Sequence, residues 1–483
     1  MTPAPDRSSA PVGLSRRTLL LLALTCAVAV GNVYFPQALV PLVAADLAAS
    51  ADAVSLIVTA TQLGYAAGIL LVVPLGDRFA HRPLLVALLA TTAVGLLAAG
   101  SAPTLPVLVA ACALVGLTTV AAQVIGPMAA GLGPADRVGA VMGTLLSGSI
   151  GGMLLARAFG GALGEAAGWR MPYLVAAGLV ALLAVALFRT APATAAATRQ
   201  AYPALVAEAL RLLRTEPELR RSCRHQAAVF GAFSAVWTCA ALLLTGPTYG
   251  LGAQAVGVLA LVGAVTMGVA PLAGRLVDRH GPDAVTRGAL LATVLSAALL
   301  VPGGAGGPTG LAALVVGTLL LDLALQAGTI ANQARVFALR PDARARLNTA
   351  YMTLAYLGGA AGSWLGVRAY GAGGWPAVCA LVALLGAVGS VGAVRRPGVR
   401  GAHTAGGRGH RSARARTPRW TGRSLRVRGV SGPCHHRGWE TPREGQQWGP
   451  GTPDRSTTTP PPTSPGGWTT PRPVSGRRSC GPR

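Results

Sequence analysis

The first 394 residues contain a series of apolar segments separated by short polar loops, and each segment is long enough to cross a lipid bilayer as a helix. A transmembrane helix needs about 20 predominantly apolar residues. The predicted spans are 18–40, 54–75, 84–102, 105–130, 139–163, 171–189, 226–247, 254–275, 285–303, 309–334, 347–368 and 375–394. Because a spanning segment must satisfy its own backbone hydrogen bonds, we predict an all-α membrane protein with twelve transmembrane helices.

The spans form two groups of six with a longer polar segment between them. The predicted organisation is a cytoplasmic N-terminus (1–17), an N-terminal six-helix bundle (18–189), a cytoplasmic linker (190–225), a C-terminal six-helix bundle (226–394) and a tail (395–483). Leucines from Leu205 to Leu213, interleaved with Arg211, predict a short amphipathic helix in the linker. This helix is either a tether between the bundles or a regulatory element.

Two internal matches indicate that the halves arose by duplication. Leu75-Gly76-Asp77-Arg78 follows the second span, and Leu276-Val277-Asp278-Arg279 follows the eighth. Gly168-Trp169 joins spans five and six, and Gly374-Trp375 joins spans eleven and twelve. Two parallel six-helix repeats are typical of the larger transporter folds.

Most of the positive charge belongs to the tail and not to a folded surface. The formal net charge is +25, and residues 395–483 contain 18 Arg against three acidic residues. A tail rich in Arg, Gly, Pro, Thr and Ser cannot bury a core, so we expect it to be disordered. It is either a polybasic arm or the product of a frameshift or read-through. We expect no nucleic acid partner.

The distribution of Arg between the loops predicts the orientation. Arg and Lys accumulate in short cytoplasmic loops, and with the N-terminus inside, 20 Arg of the first 394 residues fall on the cytoplasmic side. The outer side keeps Arg170 and the borderline Arg368. We therefore expect a multi-pass protein with both termini in the cytoplasm.

Sequence motifs for enzymatic chemistry are missing. The chain has no P-loop and no dinucleotide-binding glycine motif, and its seven Cys show no CxxC spacing. Charged residues make up 12% of the chain, about half the share in soluble domains. We expect no enzyme, no metal and no cofactor.

The loops after spans two and eight resemble a motif of the major facilitator superfamily, roughly G-x-L-A-D-R-x-G-R-R. The second-half loop matches it well and the first-half loop in part, and the matching residues are Asp77, Arg78, Arg82, Gly274, Asp278, Arg279 and Gly281. The resemblance covers residues 15–395 and implies the major facilitator fold. It also implies that these loops latch the cytoplasmic side shut, with Asp77 facing the start of span eleven and Asp278 the start of span five. Alternatively they are ordinary anchoring turns.

The chain most resembles the drug:proton antiporter-like branch of bacterial efflux permeases. That resemblance implies a monomer in the bacterial cytoplasmic membrane that exports a small molecule by proton antiport with alternating access. Two positions depart from the branch. Members of the branch have an Arg in span four where this chain has Cys112, and they have a Pro in the fifth-span motif (152–161 here) where this chain has Arg157. Metabolite uptake, facilitated diffusion and a non-transporting membrane sensor are the alternatives.

Arg157 and Asp322 are charged residues within predicted spans. A charge in a span is costly and normally faces a cavity or a partner. We hypothesise that Arg157 and Asp322 face a central cavity from opposite halves and form a pair or a substrate-gated contact, with Asp322 the candidate for proton coupling. The alternatives are that Arg157 reaches the outer interface and that the pair is a purely structural salt bridge.

Uncharged polar and aromatic side chains in the spans are candidates for lining the cavity. The resemblance implies that spans one, four, seven and ten line it, and polar groups there could orient a substrate. Equally, amides in spans join helices to each other. The candidates are Asn32, Tyr34, Gln37, Gln62, Gln123, Trp237, Gln326 and Asn332.

Overall fold

The computed structural model describes residues 15–132, 138–192, 198, 200–263, 266, 270–340 and 343–391. The tail 395–483 and residues 1–14 of the N-terminal segment lie outside the described residues.

The first half consists of nine described helices that make six crossings. They are α1 (Arg16–Tyr34), α2 (Pro36–Asp46), α3 (Ala51–Leu71), α4 (Leu75–Arg78), α5 (His81–Gly100), α6 (Leu105–Thr118), α7 (Ala121–Leu132), α8 (Val138–Ala167) and α9 (Arg170–Thr190). Helices α1 and α2 form one crossing that breaks at Phe35, because the following Pro36 has no N–H to donate. Thr119 and Val120 separate α6 from α7, and these two helices also form one crossing.

The rest of the described chain comprises a linker helix, α10 (Tyr202–Thr215), followed by the second half. The helices of the second half are α11 (Pro217–Thr245), α12 (Gln254–Gly263), α13 (Ala270–His280), α14 (Pro282–Leu300), α15 (Gly307–Leu339) and α16 (Arg344–Ser390). Helix α16 contains two crossings, because Gly373 and Gly374 leave the helical conformation and Gly374 has a φ of 64°. Glycine adopts a positive φ without the steric cost of a Cβ.

The predicted fold class is confirmed. Ten helices in the described part of the chain are long and apolar enough to cross a membrane. Helix α16 contains two of the predicted spans, and α12 and α13 both begin within the predicted span 254–275, so each of the twelve predicted spans coincides with helix. The predicted boundaries differ most at span seven, where α11 begins at Pro217 and not at 226. Its first turns contain Arg220, Arg221 and Arg224, and these charged residues do not end the helix.

Glycines allow neighbouring helices to pack backbone against backbone. A Cβ at Gly148 or Gly152 of α8 would collide with the backbone of α1 at Ala23 or Ala27. Small residues at such contacts are typical of membrane helices, whose association depends on close van der Waals packing. Gly148 and Gly152 therefore allow α8 to lie directly against α1.

Candidate functional site

Arg157 lies inside the helix bundle, at the contact between the two halves. Its side chain is fully buried. Its Nε donates a 2.9 Å hydrogen bond to Oε1 of Gln37 in α2. Its guanidinium carbon lies 4.2 Å from the ring centroid of Trp237 in α11 and 5.0 Å from that of Tyr34 in α1. The guanidinium therefore lies among Gln37, Tyr34 and Trp237 and not at an exposed surface.

Asp322 approaches the same place from α15. The residue is 4% exposed, and its Oδ1 accepts a 3.1 Å hydrogen bond from Nε1 of Trp237. The ion pairs among the described residues do not include one between Arg157 and Asp322, so the Trp237 indole joins the two charges. We call Tyr34, Gln37, Arg157, Trp237 and Asp322 the charge centre.

The charge centre contains hydrogen-bonding groups without partners. Nη2 of Arg157 and Nε2 of Gln37 are buried, and neither has a partner among the described residues. Oδ2 of Asp322 makes no hydrogen bond to any residue that the structure describes. Buried polar groups are nearly always paired, so those without a partner call for a functional explanation.

Aromatic rings form one wall of the charge centre. The hydroxyl oxygens of Tyr34 and Tyr356 lie 3.3 Å apart, and the Tyr356 ring packs on Tyr65 and Phe230 with centroid distances of 4.4 and 4.9 Å. Phe233 packs on Trp237 at 6.2 Å. Sequence reasoning missed Phe230 and Phe233, because an aromatic residue in an apolar span looks like an ordinary core residue.

Only some of the predicted lining residues meet in the charge centre. Tyr34, Gln37 and Trp237 do, whereas Asn32 donates a 3.2 Å hydrogen bond to Thr119 between helices of the first half. Gln123 lies 3.4 Å from the hydroxyl of Tyr65. For these two the geometry matches the alternative that amides join helices.

The remaining lining candidates lie outside the charge centre. Gln62 bonds Ser234 across the two halves, at 2.7 and 3.1 Å. Asn332 accepts a 3.0 Å hydrogen bond from Arg335, one turn further along α15. Gln326 is partly exposed.

A buried cation near the end of α15 was missed by sequence reasoning, which counted Arg335 among the loop residues. Arg335 is 8% exposed, and its Nη2 lies 2.6 Å from Oδ1 of Asp283 at the start of α14. The same carboxylate pairs with Arg221 of α11 at 3.1 Å. Arg335 therefore joins three helices of the second half.

Replacing Arg335 by Gln is expected to destabilise the protein by about 2 kcal/mol, because hydrogen bonds to charged groups contribute about 1.5–3 kcal/mol each. The thermal unfolding midpoint in detergent should fall, and Arg335→Lys should recover part of the loss. Arg211→Gln, on the exposed face of α10, is the control. Equal midpoints for the Arg335 and Arg211 variants would contradict the structural role.

The loop motif of the first half contacts the linker and α16. The side chain of Asp77 lies near Arg346, and Arg346 pairs with Glu208 of α10 at 3.0 Å. Arg82 donates to the carbonyl oxygen of Phe188. Asp77 thus faces the beginning of α16, where the sequence predicted an interaction with span eleven.

The loop motif of the second half is more open. Gly281 has a φ of 80° and links α13 to α14. Among the described residues, neither Asp278 nor Arg279 has an ion-pair partner. That Asp278 faces the start of span five stays a prediction: span five begins in α8, and residues 133–137 directly before that helix lie outside the described residues.

The opposite end of the molecule is closed by α8 against α12. Oε2 of Glu165 accepts a 2.8 Å hydrogen bond from the backbone N–H of Gln254, at the start of α12. A carboxylate there interacts favourably with the positive end of the helix dipole. Any Cβ at Gly252 would collide with this carboxylate. We call Glu165, Gly252 and Gln254 the Glu165 clamp.

Asp46 marks the same end of the first half. It accepts hydrogen bonds from Nε1 of Trp169 at 2.8 Å and Nη1 of Arg170 at 2.7 Å. These two donors, the Trp169 indole first, lower the pKa of Asp46 below its usual value. The carboxylate therefore remains ionised and holds the loop between α8 and α9.

Removing the Glu165 carboxylate is expected to open the clamp. Ala253 is 2% exposed and packs against Gly161, so an Ala253→Cys thiol should react slowly with a water-soluble maleimide. In residues 1–397, which leave out Cys434 and Cys480, adding Glu165→Ala should raise the labelling rate several-fold, measured against Cys26, Cys112, Cys223, Cys239 and Cys379 as the buried background. An unchanged rate would show that the clamp does not hold the closure.

The comparisons with known proteins agree with this architecture. The family model for the Major Facilitator Superfamily matches residues 20–320. The uncharacterized transporter YgaY of Escherichia coli O157:H7 is 37% identical over 366 residues, which cover 76% of this chain and 92% of YgaY. "Probable transporter SCO4007" of Streptomyces coelicolor is also 37% identical, over 79% of this chain and 90% of its own length.

Two solved structures share the fold at low identity. A mutant of the nucleoside transporter NupG has a TM-score of 0.61 and 14% identity. The human organic anion transporter MFSD10 (TETRAN) has a TM-score of 0.57 and 17% identity. In both comparisons the match covers 78% of this chain and 97% of the other.

Proposed function

We propose a transport mechanism for this chain, which belongs to the Major Facilitator Superfamily and is a membrane transporter, not an enzyme. The proposed function is export of a small molecule by proton antiport with alternating access. The observation that supports it best is the charge centre, where Arg157 and Asp322 lie buried in opposite halves without a direct ion pair.

Protonation of Asp322 changes the charge balance of this site. With Asp322 ionised, the two buried charges offset each other. With Asp322 protonated, Arg157 is left as an uncompensated buried cation, which is strongly unfavourable. A second conformation, in which water reaches Arg157, then becomes favoured. Proton binding therefore shifts the equilibrium between the two conformations.

The charged groups around Asp322 are few in the part of the chain that the structure describes. Arg157 of α8 is its charged neighbour, and Trp237 of α11 donates to it. Tyr34 of α1 contacts the guanidinium of Arg157. A proton arriving at Asp322 therefore acts chiefly on the interaction with Arg157.

The proposed direction of transport, the membrane and the orientation of the chain in it are inferred from the sequence. The resemblance to the drug:proton antiporter-like branch favours export, and the fifth-span motif 152–161 departs from that branch at Arg157. The resemblance to bacterial efflux permeases favours the bacterial cytoplasmic membrane, and the Arg distribution favours both termini inside. The grouping of the spans favours two bundles at 18–189 and 226–394 with a linker at 190–225. We propose that the protein works as a monomer.

Uptake or facilitated diffusion is a second candidate, because position 112 is uncharged. Cys112 is buried, and its Sγ lies 3.6 Å from the hydroxyl of Tyr173. The position therefore packs two helices together and supplies no second cation for proton coupling.

Accumulation assays test the proposal. Residues 1–397 are expressed in a pump-deficient bacterium, and the uptake of a panel of dyes and antibiotics is followed with and without a protonophore. Reduced accumulation that disappears with the protonophore is expected. Increased accumulation would establish uptake, and a reduction that persists after collapse of the proton gradient would overturn proton coupling.

A further inference from the structure

The two charges of the centre have opposite sign, and each retains unused binding capacity. On the basic side, Nη2 of Arg157 and Nε2 of Gln37 are buried donors without partners among the described residues. On the acidic side, Oδ2 of Asp322 has no hydrogen bond within the described part of the chain. Oδ2 lies close to the backbone of Gly263 in α12, where an added Cβ would come within 3.0 Å of that oxygen.

Trp237 occupies the space between these groups and imitates a dipolar ligand. Its indole N–H points to Asp322 at 3.1 Å, as a cationic group would. Its ring face, which carries partial negative charge, lies 4.2 Å below the guanidinium of Arg157. One side chain thus supplies a donor to the acid and an electron-rich face to the base.

We propose that the charge centre binds a zwitterionic organic molecule with an apolar body, with its anionic group on Arg157 and Gln37 and its cationic group on Asp322. The bound molecule replaces the indole of Trp237 between the two charges. Tyr34, Phe233 and the displaced Trp237 pack against the apolar body. This substrate class rests on the function proposed above.

Singly charged molecules fit the centre less well. An anion on Arg157 would approach the Asp322 carboxylate, and a cation on Asp322 would approach the guanidinium. Like charges repel strongly at short range where the dielectric constant is low. A zwitterion compensates both charges at once and leaves the site neutral.

The same arrangement explains why a proton and the substrate exclude each other. A cationic group needs the ionised form of Asp322. A proton on Asp322 removes that negative charge, so the cationic group of the substrate loses its partner. Competition of this kind for one carboxylate produces antiport.

Two matched triplets of compounds test the proposal. The first is phenylalanine, N-acetylphenylalanine and phenylalanine amide, and the second is ciprofloxacin, its N-acetyl derivative and its methyl ester. Each triplet contains a zwitterion, an anion and a cation at pH 7. Binding to the full-length protein in detergent is measured by isothermal titration calorimetry.

In at least one triplet, the zwitterion should bind about tenfold more tightly than either singly charged member. Arg157→Gln should remove this preference and favour the cation, and Arg157→Lys should restore part of it. Asp322→Asn should instead favour the anion. Arg170→Gln and Asp52→Asn, which change exposed charges at the end of the bundle, should leave the order of affinities unchanged.

Two results would overturn the proposal: no zwitterion preference in either triplet, or a preference that survives both Arg157→Gln and Asp322→Asn. Proton-dependent export of singly charged compounds alone would refute the substrate class and leave the transport function intact. Zwitterion binding without proton-coupled transport would support the substrate class and refute the proposed proton antiport.

Discussion

Asp322→Asn is expected to abolish accumulation of substrate against its gradient and to preserve exchange at saturating substrate. One proton moving through 100 mV supplies about 2.3 kcal/mol, which sustains a concentration ratio of roughly 50. The variant cannot take up that proton, so the ratio should fall to about 1. Trp237 can still donate to the amide oxygen of the new side chain, so the local packing should persist.

Proteoliposomes with an imposed pH gradient measure this effect directly. Exchange of labelled for unlabelled substrate without a gradient shows that the variant is folded and binds substrate. Asp52→Asn is the matched control, since Asp52 is exposed and lies 4.0 Å from Arg368, away from the charge centre. Full uphill transport by Asp322→Asn would exclude this carboxylate as the coupling group.

The topology could be predicted from the sequence because it depends on the length and polarity of segments. Apolar segments of about 20 residues predict crossings whatever their contacts are, and the predicted fold class is confirmed. The helix ends were less predictable. Helix α11 continues through Arg220 and Arg224 to Pro217, because a helix satisfies its backbone in water as well as in lipid.

The charge centre could be predicted only in part. Charges inside spans are rare, so Arg157 and Asp322 were identifiable from the sequence, and Trp237 was a lining candidate. The place of Trp237 between the two charges was not predictable, because it depends on the packing of α8, α11 and α15. Arg335 was missed for a related reason. Its place near a predicted span end indicated a loop, and only the fold brings Asp283 within 2.6 Å of it.

Helices α3 and α6 pack backbone against backbone at Gly116. Gly116 packs against the backbone of α3, where a Cβ would collide with the carbonyl oxygen of Thr61 and lie 2.9 Å from the backbone nitrogen of Tyr65. Backbone cannot move aside as a flexible side chain can. Gly116→Ala is therefore expected to destabilise the protein by about 3 kcal/mol or more.

Helix propensity alone predicts that a Gly→Ala substitution stabilises the protein, because Ala in a helix is favoured over Gly by about 0.5–1 kcal/mol. Gly178→Ala measures the effect of helix propensity alone, since Gly178 is exposed on α9 with no atom within 4 Å of the added Cβ. The thermal unfolding midpoint in detergent should therefore rise slightly for Gly178→Ala and fall sharply for Gly116→Ala. A rise for both would mean that α3 and α6 are less closely packed than described. A sharp fall confined to Gly116→Ala would show that backbone contact between these helices limits which residues the first half accepts.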